Sequence, residues 1–525
     1  MALHFRRALL GRSRSAIPVR FWLLAAFCLW LAFATANRLW ADEQATTAKP
    51  QELAQFEESW HVVYIANSRV GYERSASGRL TRDGREIVIS DTEMAMDLSR
   101  FGQKTKTRTL IHAEETPGGD LLGFDYEMLN PPAAPTRTRG RVVGDKLLLS
   151  TETDGQLKSR EMSWDQSIKS PAYQDRLLRE NPLKPGETRT FKSFDPQFTK
   201  IATITLKAGD FKETKLLAEK SQRLLEVTVT QSLIPQIAIL EYLDEQGAQL
   251  KSAINLMSMT TYTVSKEQAL EALTGDGVDL AVTMLVKTNS IDRASESRQV
   301  TYRITVPGDD PQKTLPSGPT QKIASVGPNT VDLTVTAISP PAAPTSSNAV
   351  PGKEFLSSNT YMQVDDKLVT QHAAAAAGAE TDPWKAAQAM ERWVSQNLKK
   401  KNFSTLLASA AEVARDLSGD CTEHAVLLAA MCRARGIPAR VVVGLVYVPK
   451  LSSFAGHMWT EVFVRGVWVP LDATLGNGGI SADHIKFADS SFSDDDDLPP
   501  ISCFVPMVGA LGKMKIEVRE VKYVK

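Results

Sequence analysis

From residue 60 to about residue 265 the chain runs in short apolar–polar alternations separated by turn residues. The run 60–65 ends at Asn67-Ser68, and Arg82-Asp83-Gly84 splits 78–81 from 86–89. Similar runs occupy 106–112, 121–128, 146–151, 188–194, 201–207, 224–229, 237–243 and 249–255. A period of two places alternate side chains on one face, as a half-buried strand requires. Many such strands in succession predict a large antiparallel sheet or open barrel over 58–265. One helix, 172–179 ahead of Pro182, is expected to lie across its face.

The pattern then changes. Residues 280–338 read as a smaller β segment, in which 298–306 and 331–338 alternate and Pro307-Gly308 and Gly327-Pro328-Asn329 turn. Residues 339–353, rich in Pro, Ala, Ser and Thr, read as a linker. Helical spacing follows at 366–377, 383–399 and 409–417. With 525 residues, several domains are expected rather than one core. The predicted class is α+β, with a final unit over 354–525.

Composition narrows the function classes. Apolar residues make up 42% and charged residues 23%, the balance of a globular protein. The 61 basic side chains match the 61 acidic ones, so there is no nucleic-acid footprint. Residues 1–41 differ: five arginines precede an uncharged stretch, 21–36, that ends in Ala34-Thr35-Ala36. This is an export signal, or an anchor that attaches the chain to a membrane. Both readings place the remainder in the periplasm, in the cell envelope or outside the cell. Past this segment only Cys421, Cys432 and Cys503 remain. Cys421 and Cys432 are three helical turns apart, about 16 Å, beyond disulfide reach. A Cys432–Cys503 bridge stays open, with Cys432 otherwise a small core residue.

The candidate chemistry lies at Gly419-Asp420-Cys421-Thr422-Glu423-His424 and the two strands that follow. Asp420 can cap a helix beginning at Cys421, which Gly436 and Pro438 end. A thiol in a first helical turn feels the positive end of the helix dipole, which favours thiolate. Unpaired N–H groups there would also receive an oxyanion. Asp420 opposes the thiolate if its carboxylate faces Cys421. A two-residue loop at Arg465-Gly466 pairs Val464 with Val467 and Trp459 with Asp472. His457 and Asp472 are then diagonal neighbours on one face, roughly 7 Å apart along the backbone. A one-residue slip would separate them. Cys421, His457 and Asp472 are the parts of a catalytic triad. Each alone has an ordinary structural explanation; the order and register together favour the triad.

These residues resemble the transglutaminase-like superfamily, related to papain-like cysteine peptidases. The matching blocks are Gly419-Asp420-Cys421-Thr422-Glu423-His424-Ala425, Arg433-Ala434-Arg435-Gly436-Ile437-Pro438-Ala439-Arg440, His457-Met458-Trp459-Thr460-Glu461-Val462 and Trp468-Val469-Pro470-Leu471-Asp472-Ala473-Thr474. The resemblance is to the bacterial exported members. It implies Cys421 as nucleophile, His457 as general base and acid, and Asp472 as the residue orienting the imidazole. His484 also resembles a family feature and is expected to be structural. Residues 63–72 loosely resemble exported bacterial proteins that fold as a curved sheet around a lipid-like ligand; a purely structural module is the alternative.

The expected activity is cysteine-dependent processing of an amide or peptide bond in a protein or peptide substrate, through a thioester. Hydrolysis is favoured over crosslinking because water is the default acceptor. The alternative is a catalytically silent binding or scaffold protein of the cell envelope. No metal or cofactor is expected: the run 494–497 lacks the alternating ligand spacing of a calcium loop. The oligomeric state is left open.

Overall fold

A computed structural model of the chain describes residues 56–523, except 101, 130–134, 154–155, 236, 255–257, 274–277, 344–349, 400–407 and 495–499. The export segment, 1–41, lies outside the described residues, as do parts of the linker and of the acidic run.

The first half is one sheet of fourteen strands. The strands are β1 (Glu57–Ile65), β2 (Ser68–Arg82), β3 (Arg85–Arg100), β4 (Gln103–Glu115), β5 (Leu121–Leu129), β6 (Thr136–Val143), β7 (Lys146–Thr153), β8 (Gln156–Ser163), β9 (Thr188–Asp195), β10 (Lys200–Lys215), β11 (Ser221–Gln231), β12 (Ile239–Leu243), β13 (Gln249–Ile254) and β14 (Met259–Val264). Their order, β8 through β1 and then β14 through β9, is antiparallel at every step, with β1 joining the halves by pairing with both β2 and β14. So wide a sheet curls on itself. The rings of Phe124 on β5 and Phe194 on β9 meet at 5.1 Å. The chain at Lys169 bridges these two regions, pairing with Asp120 on one side and Ser193 on the other. Helix α1 (Tyr173–Glu180) spans the interior: Arg176 binds Glu115 of β4 at 2.8 Å, and Gln174 donates to Glu241 of β12 at 3.1 Å. The expected sheet with a helix across its face is present, curled towards a barrel.

The second half is built around a central helix. Helices α2 (Lys367–Ala377), α3 (Pro383–Asn397) and α4 (Ala410–Asp416) begin at the caps Asp366, Asp382 and Ser409. They surround α5 (Cys421–Ala434), whose residues from Thr422 to Arg433 are all buried. Its stretch 425–432 is apolar on every side, as a helix inside a core requires. Behind it stands a five-stranded sheet formed by β15 (Val286–Lys287), β19 (Ala439–Val448), β20 (Ser453–Val464), β21 (Val467–Leu471) and β22 (His484–Ser490). In this sheet β20 lies between β19 and the pair β21 and β15.

The small β segment is not closed on itself. Strands β16 (Ser297–Thr305), β17 (Gln321–Gly327) and β18 (Thr330–Thr336) are completed by β23 (Lys515–Tyr523), which pairs along β16. With β15 in the five-stranded sheet, the segment 280–338 and the last strand of the chain pack as one body with the C-terminal core. Local alternation reveals a strand but not a partner two hundred residues away.

Candidate active site

The start of α5 is built by a short polar network. Gly419 has φ +151°, and a Cβ there would sit 2.3 Å from Glu423 Cβ, so only glycine fits. Asp420 Oδ1 accepts the Thr422 N–H at 2.9 Å and its hydroxyl at 3.0 Å. Its side chain also accepts from the backbone N–H of Glu423, and Glu423 Oε2 accepts the Asp420 N–H at 2.8 Å, closing a capping box. The Asp420 carboxylate is thus turned onto the helix backbone. This corrects one expectation: the N–H groups of Thr422 and Glu423 serve the cap and are not there to receive an oxyanion. Burial, reinforced by the nearby Asp420, pushes the Glu423 carboxyl well above the usual range. His424 Nδ1 lies 2.5 Å from the Asp420 carbonyl oxygen, so its ring braces the same cap. Cys421 is partly exposed, and no disulfide joins the buried Cys432 and Cys503.

The hairpin has the register that a two-residue loop demands. Arg465 and Gly466 both take positive φ, 53° and 86°. Val464 pairs with Val467, and the ladder continues to Thr460 opposite Leu471. Asp472 follows at the strand end, and its Oδ2 lies 2.8 Å from His457 Nε2. The diagonal contact expected between His457 and Asp472 is made. Thr460 Oγ1 donates to the Ala425 carbonyl at 2.9 Å, tying β20 to the first turns of α5. Cys421 and His457 both lie on the N-terminal side of that tie, each on its own element.

Two further residues hold Asp472, and sequence reasoning gave neither a role here. His484, expected to be structural, brings Nε2 to 3.3 Å from the same Oδ2, while its Nδ1 contacts Asp483 Oδ1 at 2.7 Å. Burial works against its charge, but Asp483 and then Asp472 outweigh it and raise its pKa to about 8. Glu391 on α3 accepts the Asp472 N–H at 3.1 Å. Its carboxyl is pushed up to about 8, chiefly by burial. Its signal in the sequence is an acid on the apolar stripe of Ala387, Met390 and Val394. Asp472 Oδ1 accepts from the Thr474 N–H at 2.8 Å. Burial would raise the Asp472 pKa, but the charges and hydrogen bonds of His457 and His484 hold its carboxyl far below the usual range.

Trp459 forms one wall. Its ring lies 6.2 Å from that of His457 and 5.3 Å from that of His484. It can lie there because Gly444, opposite His457 on β19, has no side chain: a Cβ would meet Trp459 at 2.7 Å and the Ile485 carbonyl at 2.1 Å. Among the described residues, His457, Asp472 and His484 are the group whose ligand atoms converge as a metal site would require, all within 4.8 Å.

Residues 370–473, which contain Cys421, His457 and Asp472, match the core model of the transglutaminase-like superfamily. The C-terminal core is transglutaminase-like. No curated protein sequence matches the chain. Among solved structures, the chain is similar to a proposed cysteine protease from Cytophaga hutchinsonii, at 17% identity over 43% of this chain and 86% of that one, with TM-score 0.28. It is also similar to a β-barrel-like protein of a domain of unknown function from Brucella abortus, at 9% identity over 41% and 96%, TM-score 0.29. A proposed protease from Parabacteroides distasonis gives 12% identity over 72% and 65%, TM-score 0.17.

Proposed function

We propose that this transglutaminase-like core is a cysteine-dependent enzyme that processes amide or peptide bonds, with Cys421 as nucleophile, His457 as base and acid, and Asp472 orienting His457. The observation that carries the reading is the 2.8 Å contact between His457 Nε2 and Asp472 Oδ2, on a strand tied to the helix that starts with Cys421. Because Nε2 faces the carboxylate, Nδ1 is the ring nitrogen assigned to the thiol. In the proposed reaction His457 takes the Cys421 proton, and the sulfur adds to the substrate carbonyl. The tetrahedral adduct collapses to a thioester as His457 returns that proton to the departing amine. His457 then takes a proton from the acceptor, water by default, and the thioester opens.

Export also belongs to the proposal. It rests on the arginines and the uncharged stretch 21–36, and is tested by whether residues 1–41 carry a reporter out of the cytoplasm. Among the described residues no helix is long and apolar enough to cross a membrane.

The test of the reaction is mass spectrometry of the full chain mixed with peptide and primary-amine probes. The expected result is an acyl adduct on Cys421 that water or an amine releases, absent in Cys421→Ala. Alkylation of Cys421 by iodoacetamide no faster than a free thiol, and unchanged by His457→Ala, would overturn the enzyme in favour of a scaffold.

A further inference from the structure

Around Asp472 two imidazoles face one carboxylate oxygen, His457 Nε2 at 2.8 Å and His484 Nε2 at 3.3 Å. A zinc ion bound at about 2.0–2.1 Å to nitrogen and oxygen in tetrahedral geometry holds its ligand atoms roughly 3.3 Å apart. The two contacts to Oδ2 bracket that spacing from 2.8 to 3.3 Å, and all three ligand atoms lie within 4.8 Å of one another. The second ring is prepared for ligation as well. Asp483 Oδ1 contacts His484 Nδ1 at 2.7 Å and accepts from the Ser481 hydroxyl at 2.9 Å. A carboxylate on the far nitrogen is the arrangement that fixes a ligating histidine with Nε2 presented to the metal. The ligands come from β20, from the residue just after β21 and from the first residue of β22, so the sheet positions all three. Every one is buried. A triad needs one histidine on its aspartate; a second, aimed at the same oxygen and backed by its own carboxylate, is more than orientation of His457 requires.

We propose that His457 Nε2, Asp472 Oδ2 and His484 Nε2 form a regulatory site for a zinc-class divalent cation that switches the thiol chemistry off. Two imidazoles and one carboxylate suit Zn²⁺ or Co²⁺, whereas Ca²⁺ and Mg²⁺ call for oxygen ligands. Inhibition follows from proton placement. With the ion on Nε2, the hydrogen that stood between His457 and Asp472 leaves to solvent or moves to Nδ1. The neutral ring then carries its single proton on Nδ1, on the side assigned to the thiol, and has no lone pair there to accept the Cys421 proton. The sulfur is not a ligand. The inhibitory half rests on the proposed triad; the binding half does not.

The test uses the full chain, stripped with chelator and desalted. Titration with Co²⁺ should give a visible absorption band that saturates at one ion per chain, is displaced by Zn²⁺ and is unaffected by excess Ca²⁺ or Mg²⁺. His484→Gln should weaken Co²⁺ binding more than tenfold, and Asp483→Asn, which leaves all three ligand residues in place and removes only the carboxylate behind His484, about tenfold. X-ray absorption of the zinc-loaded native chain should show nitrogen and oxygen neighbours with two imidazoles and no sulfur, a readout that needs no variant to fold. Alkylation of Cys421 should slow in step with occupancy. Absence of a band at millimolar Co²⁺, sulfur in the zinc shell, or equal affinity in both variants would overturn the site. A chain that binds one zinc in this shell but forms no acyl adduct keeps the site and loses the enzyme. An active chain indifferent to Zn²⁺ does the reverse.

Discussion

Glu391 accepts the backbone N–H of Asp472 at 3.1 Å, so the aspartate that contacts His457 is itself held from helix α3. The Glu391 side chain is fully buried, and burial lifts its pKa to about 8, so it is a neutral acid at pH 7. A carboxyl whose folded pKa lies above its unfolded value costs nothing below the unfolded pKa. The penalty on the fold grows as pH rises above the unfolded pKa, 4.5, and is complete at about 8. The chain should therefore lose about 1.4 kcal/mol per pH unit from this group between pH 5 and pH 8, and little more above that. Glu391→Gln, neutral at every pH, should melt close to the native chain at pH 4.5 and above it at pH 8. Melting curves at the two pH values decide; parallel losses in both proteins would reject the assignment.

Asp472→Asn removes the negative charge that two imidazoles contact and leaves one oxygen to serve both those rings and the Thr474 N–H. In the proposed enzyme, kcat should fall by about 10³–10⁴ while KM changes little, because the loss is of base orientation and not of substrate binding. Steady-state kinetics on the peptide probes measure the split. A fall confined to KM would place Asp472 in binding.

Gly444→Ala puts a Cβ 2.1 Å from the Ile485 carbonyl and 2.7 Å from Trp459. Strands β19 and β22 must part, or the indole must leave the histidines. Overpacking of this kind costs about 1–3 kcal/mol or more. Thermal melting should show that loss, together with slower alkylation of Cys421. An unshifted melting temperature would mean that the sheet yields at this point.

Removal of residues 512–525 takes away β23 and leaves the length of β16 without a partner on that side. The buried faces of Tyr302 and Ile304 would lose the strand beside them. Limited proteolysis should then open 280–338 together with the C-terminal core while the fourteen-stranded module stays protected. Equal resistance of the truncated chain would show that the four-stranded sheet does not need its last member.

Much of the site was legible because it is coded locally. Asp420 followed by Glu423 announces a capped helix with Cys421 in its first turn, and Arg465-Gly466 sets the register that brings Asp472 to His457. Both devices act over a few residues, through backbone geometry that allows few alternatives. The strands of the first half were readable for the same reason, as was their grouping into one sheet. Their curl was legible only as the open-barrel alternative; contacts such as Phe124 to Phe194, which decide it, depend on the twist accumulated across ten strand positions.

His484 and Glu391 carried weaker signals, a family likeness read as structural and an acid on an apolar helix stripe. One begins an ordinary strand and the other is an acid on a helix face, and each acquires a role only by arriving beside Asp472 from a different element. The same is true of β23, whose alternation marks a strand while the identity of its partner depends on the whole C-terminal body being packed. Spacing along the chain is enough to decide helix starts, hairpin register and which residue types can do chemistry, since those follow from local dihedrals and near-neighbour hydrogen bonds. Burial, convergence of side chains from distant elements and the protonation they impose on one another belong to the packed molecule, because each depends on water being excluded and on neighbours far away in sequence.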